Sequence, residues 1–154
     1  MKKMSTIKRF AVVFALLLAA MSFAACGGGS GAASGNATVS IDCVALAEVD
    51  PDLAGKYSEE GWIAAVTEIE ITDGLTVLDT LDLLDVDFVD TGGYVSEING
   101  LGHEASAGDF SGWLFLVNGE MPSVGAGELK VSDGDVIEWR YSCDGGPDIG
   151  LSWE

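Results

Sequence analysis

Residues 111–144 read SGWLFLVNGEMPSVGAGELKVSDGDVIEWRYSCD. Two apolar, aromatic and β-branched runs stand here, Trp113-Leu114-Phe115-Leu116-Val117 and Val136-Ile137-Glu138-Trp139-Arg140-Tyr141. Such runs are strands, because their side chains suit a pleated, half-buried surface. Asn118-Gly119 ends the first, and Asp133-Gly134-Asp135 launches the second; both are turn signals. A glycine-bearing excursion joins them. On the first strand Trp113, Phe115 and Val117 share one face, while Leu114 and Leu116 share the other. Two apolar faces leave two readings. The strand is covered on both sides, or it offers an apolar surface to a partner.

The preceding residues supply the rest of a sheet. Thr38-Val39-Ser40-Ile41-Asp42-Cys43 alternates, with Val39, Ile41 and Cys43 expected inward and Ser40 and Asp42 in water. Residues 46–61 carry Pro51, Gly55 and several acids and read as loop with at most a helical turn. Trp62-Ile63 opens the next ordered run, and in residues 67–71 Ile69 and Ile71 point inward. Residues 76–84 read as the one clear helix. Thr76 is its expected N-cap, Asp79 suits the free amides of the first turn, and Val77, Leu78, Leu81 and Leu84 form the buried stripe. Residues 86–89 and 94–98 are further strands, separated by Gly92-Gly93, and residues 101–111 are loop. The expected fold class is α+β, a small mixed β-sheet with one helix packed across it.

The amino terminus reads as an address. Lys2, Lys3, Lys8 and Arg9 precede the apolar run FAVVFALLLAA, too short to span a bilayer as a helix. Phe23-Ala24-Ala25-Cys26 followed by Gly27-Gly28-Gly29-Ser30 resembles a bacterial lipoprotein signal. That resemblance implies a diacylated Cys26 as the mature first residue and a cell-membrane location, lipid-anchored and facing outside the cytoplasm. An ordinary signal that leaves Cys26 as a free thiol is the other reading. The expected organisation is a signal peptide over 1–25, a flexible Gly/Ser/Ala tether over 26–36, and one domain over 37–154.

After Cys26 there are 3 basic against 25 acidic residues, a balance of −22, compared with −18 for the whole chain. So acidic a body is repelled by nucleic acid, which excludes that class of partner. No catalytic constellation is visible. His103 is the single histidine and lies in a polar loop with no nucleophile motif beside it. The acidic pairs Asp50/Asp52, Asp85/Asp87 and Asp133/Asp135 do not complete the spacing of a calcium loop, so no metal site is expected. The chain reads as no enzyme.

The succession GW-x-F-x-VNG, P-x-x-G-x-G and DGD-VI-E-W-R-Y-x-C-D resembles a bacterial domain family of unknown function, likened to the carboxy-terminal domain of transcobalamin and intrinsic factor. The resemblance implies a β-grasp-like arrangement and a disulfide between Cys43 and Cys143, which would staple neighbouring first and last strands. Two unpaired buried thiols are the other reading of these residues. It also implies a ligand-facing surface at Trp113, Phe115, Met121 and Pro122, with a corrinoid such as cobalamin as the small molecule. The B12 carriers close that ligand against a large helical domain; this chain has none, so a partner would supply the second wall. The function expected is a non-catalytic cell-surface binding module, with protein–protein or cell-surface attachment as the alternative.

Overall fold

A computed structural model describes residues 35–152. The expected signal peptide, Cys26 and most of the expected tether lie outside the described residues. Six strands, three short α-helices and two 3₁₀ turns follow in the order β1 (Gly35–Asp42), α1 (Val44–Val49), α2 (Pro51–Ala54), β2 (Trp62–Ile71), α3 (Asp79–Leu83), β3 (Phe88–Thr91), β4 (Tyr94–Ile98), β5 (Gly112–Val117) and β6 (Val136–Ser142), with the 3₁₀ turns at Ala105–Ala107 and Pro147–Ile149. The main sheet has the order β2-β1-β6-β5, and β3-β4 forms a separate two-stranded sheet. The expected α+β class, with a mixed sheet, therefore stands.

The first and last strands are neighbours, as expected. They run parallel in the centre of the sheet, with Val39 beside Ile137 and Ile41 beside Trp139. Antiparallel pairs flank them on both sides. Val39, Ile41, Ile137 and Trp139 are almost wholly buried and form the middle of the main core. The expectation that Ser40 and Asp42 face water is corrected: they are 5% and 3% exposed. An interior strand has neighbours on both edges, and here a second apolar cluster covers the other face. Ala45, Leu116 and Ile149 make that cluster, with Leu114 and Leu151 against it. Asp42 is tolerated there because Arg140 Nε lies 3.3 Å from Oδ2 and the Val44 amide donates to Oδ1. Burial still outweighs these partners and raises the Asp42 carboxyl above its ordinary value.

Residues 46–61, expected as loop, contain two short helices. Asp50 Oδ1 accepts from the Leu53 amide at 2.9 Å and Pro51 opens α2, an N-cap followed by proline. Leu46, Leu53 and Ala54 are buried against the core. The regular part of α3 starts later than expected, at Asp79. Thr76 nevertheless caps it: the Asp79 amide donates to Thr76 Oγ1 at 3.3 Å, and the Thr76 amide and hydroxyl both donate to Asp79 Oδ2, at 2.8 and 2.7 Å. This is a reciprocal cap with aspartate in the glutamate's place. The turn between is tight, with Thr80 and Leu81 amides bonded three residues back to Val77 and Leu78. Val77 and Leu81 are buried as the stripe requires. Buried Thr80 receives the Trp139 indole N–H at 3.3 Å, which ties this helix to the sheet.

Candidate functional site

The site is a groove of about 330 Å³ beside β5. Trp113, Leu114 and Phe115 of β5 form one side, with Trp139 of β6 behind them. Gly92, Gly93, Tyr94 and Val95 of the β3-β4 hairpin form the second side, and residues 121–125 the third. All four residues expected to face a ligand, Trp113, Phe115, Met121 and Pro122, therefore line one cavity.

Local sequence chemistry places each wall. Asn118 and Gly119 adopt φ of 56° and 80°, and Val117 and Glu120 exchange backbone hydrogen bonds at 2.9 and 3.1 Å. The chain thereby doubles back at the end of β5 and sets Met121 and Pro122 beside it. The Asn118 side chain fixes this corner to β6: it donates to Asp135 at 2.9 Å and accepts from the Val136 amide at 3.0 Å. Downstream, the Leu78 amide donates to Ala126 O, the Val77 amide to Leu129 O and the Val131 amide to Leu75 O. The third wall is thus fastened at both ends. Gly92 and Gly93, at φ of 65° and 88°, make the tight turn that brings Tyr94 forward.

The lining residues differ in what they can do. Trp113 is 3% exposed. Its indole N–H donates to Leu101 O at 2.7 Å, and its ring meets Tyr141 edge-on with centroids 5.3 Å apart. Phe115 packs on Trp139 at the same separation. These rings make a fixed floor. The accessible wall is Tyr94, Met121 and Val124, which are 60%, 42% and 42% exposed. Among the described residues no charged side chain lines the groove. Tyr94, Val124 and the two glycines were not singled out from sequence, because only the tertiary fold brings the hairpin to β5.

The two readings of β5 resolve toward coverage for most of its length. Trp113, Phe115 and Val117 pack on the main core and Leu114 and Leu116 on the second cluster. What stays open is the strip along the groove.

The expected Cys43–Cys143 disulfide is not formed in this structure; both residues are free and buried. The central register ends at Asp42 beside Arg140, so the two cysteines are not opposite one another when it is extended. Cys43 Sγ donates to Ser58 Oγ at 3.2 Å. Burial raises both thiols, and for Cys143 the nearby carboxylates of Asp148 and Asp144 add to it, pushing it up to about 11. His103 is exposed, with Nδ1 3.1 Å from Ser111 Oγ, and neither residue lines the groove. Among the described residues no three His, Cys, Asp or Glu side chains converge to hold a metal ion, and no helix is long and apolar enough to cross a membrane.

No curated protein matches the chain. A crystal structure of a protein from Ruminococcus gnavus ATCC 29149, classed provisionally as metal binding, is 16% identical with a TM-score of 0.44, over 70% of this chain and 96% of that one. Haptocorrin in complex with Cbi is 20% identical with a TM-score of 0.48, over 76% of this chain. The aligned part is 26% of the haptocorrin chain, so this chain spans about a quarter of that protein. Residues 74–143, which run from the cap of α3 through β6 and hold every wall of the groove, match the family model described as Domain of unknown function (DUF4430).

Proposed function

We propose that this protein is a non-catalytic binding module, displayed outside the cytoplasm on a lipid anchor at Cys26, whose groove beside β5 receives an uncharged, largely apolar ligand. One observation carries the reading. In a body with a net charge of −22 after Cys26, the cavity is lined by aromatic, aliphatic and glycine residues with Met121, Pro122 and Ser123, and among the described residues by no charged group. Ligand sites of this kind are concave and mostly apolar, with backbone groups for orientation. The parallel central strand pair, with α3 tied to it through Thr80 and Trp139, favours the β-grasp-like description.

A corrinoid is the leading small molecule, on the strength of the motif resemblance and the four residues it named, all of which line the groove. The cavity is open on one side, so a ligand of that size lies across it and a partner protein closes the other face. Isothermal titration of the full chain with cobalamin and cobinamide tests this. Heat that disappears in Met121→Ser supports it, and no heat at high micromolar ligand removes the corrinoid. Attachment to another protein is the second reading, favoured by the exposure of Tyr94, Met121 and Val124 along one wall.

A further inference from the structure

β5 is an edge strand of the main sheet. The hydrogen-bond parity of that edge follows from the corner at its end. The Asn118 amide donates to Val136 O across the pair, and the β5-β6 register then alternates in steps of two. The amides and carbonyls of Leu114 and Leu116 therefore point at β6, and those of Trp113, Phe115 and Val117 point away from it. Val117 spends its outward groups on Glu120. Among the described residues Trp113 and Phe115 have no partner strand on that side, and both line the groove. A strand edge of this kind is a template for an added strand.

From this edge we propose that the groove binds an extended peptide segment as an added strand on β5, its backbone pairing with Trp113 and Phe115. The proposal rests on the groove being the binding site and develops the second reading, attachment to another protein, by naming the segment the groove would receive. Charge sets the character of that peptide. Its central residues are small and uncharged, because no charged side chain lines the cavity. Its flanks are basic, because Glu120 immediately precedes the lining residue Met121, Asp90 accepts from the amide of the lining residue Gly93 at 2.8 Å, and the body is strongly acidic. The same charge opposes a second copy of the chain in this position. Side chains of the added strand alternate, one set toward Tyr94 and Met121 and the other toward Leu114.

The test uses the full chain in detergent, ¹⁵N-labelled, with the blocked peptide Lys-Val-Ala-Val-Ala-Val-Lys. Two further versions carry backbone N-methyl groups at alternate residues, one in each parity. In a strand only every second amide faces its neighbour. The peptide is expected to shift the Trp113 and Phe115 amide resonances, one methylated version to bind as the parent does, and the other roughly tenfold more weakly or worse. Equal binding of both methylated versions overturns the strand pairing. So does occupation of the edge by a second copy, read as concentration-dependent shifts without peptide. If no peptide shifts these amides but the neutral dye Nile red shifts Tyr94 and Met121, the groove stands as a binding site and the added strand falls. If neither shifts them, both fall.

Discussion

Trp113 is the residue on which the groove depends, and it acts from below. It is buried, hydrogen-bonded through its indole N–H and packed edge-on against Tyr141. Trp113→Ala is expected to destabilise the fold by about 3–5 kcal/mol, as large aromatic deletions in cores do. Any loss of binding in that variant is then inseparable from loss of structure. Met121 is the residue that separates the two, being exposed on the third wall. Met121→Ser should leave stability within about 0.5 kcal/mol while weakening whatever occupies the groove. Urea unfolding alongside ligand titration of both variants checks the pair. A second residue-scale expectation concerns Cys143. The fold holds its thiol protonated, raising it from 9.0 to about 11. Its contribution to stability is complete below pH 9.0 and is lost as the pH climbs through about 11. Cys43 and Tyr141 are raised by burial and act in the same direction. The melting temperature should fall across this alkaline window, and Cys143→Ser should make the fall shallower; an unchanged slope contradicts the assignment.

Among the elements, α3 shows how a short helix is held. It has five regular residues, too few to stand by propensity. Its start depends on the exchange between Thr76 and Asp79. Thr76→Ala and Asp79→Ala should each cost on the order of 1 kcal/mol, and the double variant less than their sum, because both remove one cap. Denaturant midpoints for the three proteins check this. The cap was legible from residue types alone, as was the β5-turn corner; the adjacency of the outer strands was implied only by the family resemblance, through a disulfide that is not formed in this structure. Other features were not legible. Asp50-Pro51 is a helix-start pair, but the stretch around it is too short and too interrupted to show a period. The burial of Ser40 and Asp42 depends on β1 lying inside the sheet, and strand order is not written in the alternation of one strand. The groove was half legible. Its aromatic side is contiguous in sequence, whereas Tyr94 arrives through a hairpin that pairs only with itself.

For the whole molecule, the apolar groove in an acidic body is the feature that a function has to use. Acidity repels nucleic acid and acidic surfaces, so it selects ligands that are neutral or basic. The expected head group completes the picture: a diacyl chain at Cys26 would hold the body at a membrane face, with the glycine-rich tether giving it reach. Mass spectrometry of the mature protein is expected to show a lipid-modified Cys26 as its first residue, and an unmodified terminus there removes the anchor. The central claim, that the groove beside β5 is the binding surface, is tested most directly by mapping ¹⁵N resonance shifts of the full chain on titration with cobinamide. The account predicts saturable shifts concentrated at Tyr94, Phe115, Met121 and Val124. Shifts that saturate elsewhere on the body, with these four unmoved, contradict it.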